Sequence, residues 1–140
     1  MLDYLIFKIG GFFSDQELLV IKNNGVDIVI DYYKHPRNWS SERCFHSHKS
    51  IDQAKFEELC DRILNAGIES WEDDYSDNQI LDGVQWSVRY KLKQQDERKI
   101  YGSNSFPQNW VTFLSVVHAI KHEIGEPVEE DINSMIYAGL

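Results

Sequence analysis

Between residues 84 and 93 the side chains alternate without a break: Val84, Trp86, Val88, Tyr90 and Leu92 are apolar, and Gln85, Ser87, Arg89, Lys91 and Lys93 between them are polar. A β-strand sends successive side chains to opposite faces, so this spacing predicts a strand with one face in a core and the other in water. Asp82-Gly83 ahead of it is a turn signal, residues 94–98 read as a polar hairpin tip, and residues 99–101 begin the return strand. Gly102-Ser103-Asn104 then permits a tight connection, and Ser105-Phe106-Pro107-Gln108 is a Ser-x-x-Gln capping pattern. It precedes a helix in which Trp110, Phe113, Leu114, Val117, Ile120 and Ile124 recur at three- and four-residue intervals, with Gly125 as its cap.

The first half of the chain repeats this plan without repeating the residues. Residues 2–13 read as a strand with Leu5, Phe7 and Ile9 on one side and Tyr4, Ile6 and Lys8 on the other. Residues 17–22 and 26–33 flank Asn23-Asn24-Gly25 and predict a β-hairpin. His35-Pro36 ends it, and residues 39–49 read as a loop or a short edge strand. Ser50 and Gln53 form a second capping pattern before a helix built on Phe56, Leu59, Cys60, Ile63 and Leu64, which Gly67 closes. Ile132, Met135 and Ile136 suggest a small terminal helix. The expectation is a single α+β domain over residues 1–140, ordered β-ββα-ββα. Its sheet would be antiparallel or mixed, of about five strands, with both amphipathic helices on one face. An uncovered edge strand at residues 2–13 would leave a homodimer possible.

The 140 residues, 42% hydrophobic and 13% aromatic, suffice for one core without disulfide or metal staples. A formal charge of −9 and a pI near 4.9 argue against nucleic acid and anionic membranes as partners, since both are bound through clustered Lys and Arg. The same charge suits a basic protein partner, or simply keeps the chain dissolved. Residues 1–13 carry no basic leader or cleavage site, no window approaches the roughly 18 apolar residues of a spanning helix, and Cys44 and Cys60 form no paired spacing. A cytoplasmic protein is expected.

Three places invite a functional reading. The most acidic window includes Glu69, Glu72, Asp73, Asp74, Asp77 and Asp82, with Trp71 and Tyr75 four apart within it. Trp71, Glu72, Asp73, Asp74, Tyr75 and Asp77 are therefore candidate partner contacts; alternatively the two rings plug the core and the carboxylates are merely solvated. In the extended run Cys44-Phe45-His46-Ser47-His48, the residues Cys44, His46 and His48 share one side, and a thiolate with imidazoles suits zinc or copper. A further ligand would have to come from Asp52, Cys60 or His35. Gln85, Arg89, Tyr101, Ser103 and Asn104 make a third candidate, a polar pocket at the strand-to-helix junction. His118 and His122 are four apart on a helix but lack the Glu of a metalloprotease motif, because Ala119 follows the first His. No nucleophile elbow, phosphate loop or dinucleotide fingerprint occurs in the sequence.

The segments DGVQW at 82–86 and KIYGSNSFPQNW at 99–110 resemble a group of small, largely uncharacterised bacterial proteins with the pattern Asp-Gly-Thr-Gln-Trp, an alternating strand, and Gly-Ser-Asn-Ala-Tyr-Pro before a helix. Here Val84, Ser105 and Phe106 stand where that pattern has Thr, Ala and Tyr. The resemblance implies the fold and a bacterial cytosolic origin, and it implies no activity.

These readings lead to a small acidic binding protein with no cofactor and no catalytic activity. In its specific form it is an immunity-type protein that masks a basic toxin or nuclease. The alternatives are a metal-dependent site around Cys44, His46 and His48, and a small-ligand module at the junction.

Overall fold

A computed structural model of the chain describes residues 1–11, 15–35, 43–76, 83–125 and 128–131. The strands are β1 (Leu2–Gly11), β2 (Gln16–Asn23), β3 (Ile28–His35), β4 (Arg43–Ser50), β5 (Asp74–Ser76), β6 (Val84–Leu92), β7 (Arg98–Ser103) and β8 (Val128–Asp131). Helix α1 spans Gln53–Asn65 and helix α2 spans Trp110–Ile124. All the strands join one mixed sheet in the order β5-β7-β6-β1-β2-β3-β4-β8. Only β5 and β7 run parallel; every other neighbouring pair is antiparallel.

The α+β class and the two helices agree with the sequence reading, while the strand count and order are corrected. Among the described residues eight strands replace about five, because residues 43–50 are extended along β3 and short segments add an edge on each side, β5 at one and β8 at the other. Residues 39–49 therefore do not form a loop or an edge over the described part: β4 lies between β3 and β8. Nor is β1 an edge. It sits inside the sheet, hydrogen-bonded to β2 and β6, so its ladder groups are already paired and cannot join a second copy. The expected terminal helix falls on residues 132–140, outside the described part, and the segment just before it is strand β8.

Alternation sorts each strand into two faces. Leu5 and Phe7 of β1, Leu19 and Ile21 of β2, Ile30 and Tyr32 of β3, and Trp86, Val88, Tyr90 and Leu92 of β6 enter one core. Phe56, Leu59, Cys60 and Ile63 of α1 and Phe113, Val116, Val117 and Ile120 of α2 close that core from the same side. The opposite face carries Tyr4, Ile6, Lys8, Val20, Lys22, Ser87, Arg89 and Lys91, and no described helix lies over it. Among the described residues, no helix is long and apolar enough to cross a membrane.

Neither Ser-x-x-Gln pattern caps its helix. Ser50 still belongs to β4, and the amide of Ile51 bonds to the Ile28 carbonyl at 2.9 Å, so the sheet holds the chain past the predicted start. Asp52 caps α1 instead, accepting the Lys55 amide at 2.8 Å. At α2 the Asn104 amide bonds to the Val84 carbonyl at 2.9 Å and the Ser105 carbonyl accepts the Trp86 indole N–H at 2.9 Å, which keeps residues 104–105 on the sheet. The helix begins only after Asn109, a residue in the left-handed region with no side-chain cap. Gly67 does close α1 as expected, at φ 87°.

Trp86 faces Gly102 across the β6–β7 ladder, and a Cβ on Gly102 would fall 2.4 Å from the indole ring. The ring has no room to retreat, being 3% exposed and packed against Trp71, Tyr75 and Trp110. Gly102→Ala is therefore expected to lower the unfolding free energy by about 1–3 kcal/mol, read as an earlier urea midpoint. A midpoint equal to that of the parent chain would contradict this packing.

Candidate functional site

The acidic window is not helical through Trp71 and Tyr75. A 3-10 turn at Ile68–Ser70 leads into β5, and the two rings take separate places. Trp71 is 4% exposed and meets Trp86, Trp110 and Phe113, so it belongs to the core and not to a contact surface. Tyr75 is half-buried against Trp86, and its hydroxyl accepts the Glu72 amide at 2.8 Å. Glu69, Glu72, Asp73 and Asp74 are exposed, and Asp77 lies outside the described residues.

One cation fixes this segment. Arg98 of β7 donates to the carbonyls of Ile68 and Glu69, each at 3.0 Å, to the Trp71 carbonyl, and to the Asp73 carboxylate at 3.1 Å. The guanidinium fork satisfies backbone acceptors that a turn on a sheet edge would otherwise leave to water. Asp74 is engaged as well: hydrogen bonds from Ser76 and Tyr101 hold its carboxyl below the usual carboxylate range. The outcome is a row of carboxylates with restrained backbone. Between residues 57 and 74, exposed Glu57, Glu58, Asp61, Glu69, Glu72, Asp73 and Asp74 share the chain with Arg62 as the sole basic residue.

The residues proposed for a junction pocket are each used in a separate contact. Gln85 donates to the Ser103 hydroxyl at 2.7 Å, Tyr101 to Asp74 at 3.0 Å, and Arg89 to both oxygens of Glu97 at 3.1 Å. Tyr4 donates to the same Glu97 carboxylate, and the Arg89 and Tyr4 hydrogen bonds hold that carboxyl below its ordinary value. Asn104 accepts the Val84 amide at 2.8 Å and so ties the end of β7 to the start of β6.

In the Cys-x-His-x-His run, β4 places His46 and His48 on the face away from the helices, and the side chain of Cys44 lies outside the described residues. The further group that reaches them is Asp31 of β3, not Asp52, Cys60 or His35. Its Oδ1 lies 2.9 Å from His46 Nε2 and 2.7 Å from His48 Nδ1. The ladder explains the meeting, since Asp31 is the register partner of His48. Asp52 caps α1, and Cys60 is buried in the helix core, where burial pushes its thiol up. Asp31 was hidden in the sequence because strand register is not written there; it stood as an ordinary polar residue on the outer side of a hairpin arm.

On the helix side, His118, His122, Tyr32, Lys34, Phe45 and Lys121 border a cavity of about 510 Å³. Beside it Lys121 donates to Glu17 at 2.7 Å and sits 4.8 Å above the Tyr32 ring, whose hydroxyl also donates to Glu17. Burial raises the Glu17 carboxyl, but the hydrogen bonds from Lys121 and Tyr32 outweigh it and leave the group below its ordinary value. Burial first, and then the Glu17 contact, pushes the Tyr32 phenol well up.

No family model, no curated protein and no solved structure matches this chain.

Because the folded Glu17 pKa is depressed, its stabilising effect is complete above the unfolded value, about 4.3, and is lost as pH falls through the folded one. The parent chain is expected to lose unfolding free energy below about pH 4.3, and Glu17→Gln to lose less over the same interval. Parallel acid limbs in urea titrations would contradict the assignment.

Proposed function

We propose that this chain is a protein-binding module whose acidic side, α1 together with the segment from Glu69 to Asp74, receives a basic protein partner. The observation that carries the reading is the local excess of exposed carboxylates. The run from residue 57 to 74 carries exposed Glu57, Glu58, Asp61, Glu69, Glu72, Asp73 and Asp74 against a single basic residue, Arg62, whereas on the sheet face away from the helices Arg89 and Lys91 are paired with Glu97 and Asp3. A surface of one sign steers an oppositely charged partner and raises its association rate. Restraint of the turn by Arg98 and Trp71 lowers the ordering cost of binding there. In its specific form the partner is a basic toxin or nuclease, and this protein neutralises it in the manner of an immunity protein.

Affinity capture from the source cells, followed by titration of the identified partner, tests the reading. A basic protein is expected whose affinity falls by about tenfold or more on Glu69→Lys combined with Glu72→Lys, and falls again as salt rises. Both positions are exposed, and their side chains lie outside the Arg98 clamp. Recovery of no basic partner, or a partner that binds the charge-reversed chain undiminished, would overturn it.

A further inference from the structure

We infer that Asp31, His46 and His48 bind one zinc ion, with the remaining coordination position turned outward from the sheet. The three donor atoms all lie within 4.8 Å of one another and come from adjacent strands. Two imidazoles and one carboxylate are the donor types of zinc sites that keep a position open, whereas magnesium and calcium prefer oxygen donors throughout.

The backbone supplies the arrangement. His46 and His48 are two apart on β4 and therefore project to the same side, while Asp31 stands directly across the ladder from His48. The His46 ring is stacked on Tyr33 with centroids 4.2 Å apart and planes 6° from parallel, which restricts the angle at which it presents Nε2. Its side chain is 18% exposed and that of Asp31 22%, whereas His48 is 52% exposed. An ion thus has a half-buried floor and a path from solvent past His48.

The present geometry is a hydrogen-bonded form of that site. Two imidazoles meet one carboxylate oxygen at 2.9 and 2.7 Å, each contact requiring a ring N–H or a proton shared with the carboxylate. Tetrahedral zinc at about 2.0–2.1 Å from each donor separates donors by about 3.3 Å, so the triad must open by about half an ångström. Rotation of the exposed His48 side chain opens its own contact, and a small turn of the Asp31 carboxylate opens the contact with His46. If the rings are neutral, each moves its proton to its other nitrogen, and the lone pairs exposed at His46 Nε2 and His48 Nδ1 bind the metal with no net proton release. The ion also balances the Asp31 charge, which neutral imidazoles do not. This inference stands apart from the partner reading, because it concerns the opposite side of the sheet from α1.

Calorimetric titration of the untagged full chain with zinc chloride tests it. One zinc per chain is expected, with affinity weakened by about tenfold or more in His48→Ala and in Asp31→Asn, since each removes a direct ligand. His118→Ala combined with His122→Ala should leave the affinity unchanged. His48 is exposed, so its variant keeps the fold, and a circular dichroism spectrum matching the parent chain confirms this. Absence of binding, retention of full affinity in His48→Ala, indifference to Asp31→Asn, or transfer of the loss to the His118 and His122 pair would each overturn the assignment.

Discussion

The contact on which most of this structure depends is the indole of Trp86 lying over Gly102. A tryptophan on the core face of β6 needs a neighbour without a side chain, and the β7 residue opposite it is glycine. With the ring lodged there, its N–H reaches the Ser105 carbonyl and its faces and edges meet Trp71, Tyr75 and Trp110. Phe113 and Phe7 extend the cluster, so β1, β6, α2 and the turn after α1 converge on one aromatic group. Aromatic pairs in edge and tilted geometries add to the burial of their surface, which ties these elements together within the core. The position of β5, and with it the acidic segment, follows from where Trp71 and Tyr75 dock.

Local pattern was therefore a good guide to what each residue does inside its own element. The alternation through residues 84–92 gave the correct buried side, and the three- and four-residue spacing gave most of the buried side of both helices. Gly67 took its left-handed role because the chain after a helix has few other ways to turn. What local pattern does not carry is which strand lies beside which. Nothing in residues 2–13 distinguishes an inner strand from an edge, since both read as half-buried and alternating. The capping patterns misled for a related reason: Ser50 and Asn104 were held by sheet pairing, and Ser105 by the Trp86 indole, in each case with a residue 20 or so positions away. Long-range pairing outweighed local preference there.

The same distinction governs the candidate sites. Exposure of the carboxylates at Glu69, Glu72, Asp73 and Asp74 follows from composition, because clustered acids without nearby cations stay in water. Burial of Trp71 beneath them, and the reach of Arg98 from β7, depend on tertiary structure. The histidine pair was legible through its two-residue spacing, whereas Asp31 required the register of β3 against β4. The two faces of the molecule thus acquire different chemistry from one sheet. The run from residue 57 to 74 is dense in carboxylates, while two imidazoles of β4 meet Asp31 on the side that no described helix covers.

The central claim is that partner recognition belongs to the acidic side. Amide hydrogen exchange on the complex with the captured basic partner reports this directly, because binding slows exchange where backbone is covered or restrained. The account predicts added protection concentrated in residues 57–76, with little change in β2 and β3. Protection centred on β1 to β4, with residues 57–76 exchanging as in the free protein, would contradict it.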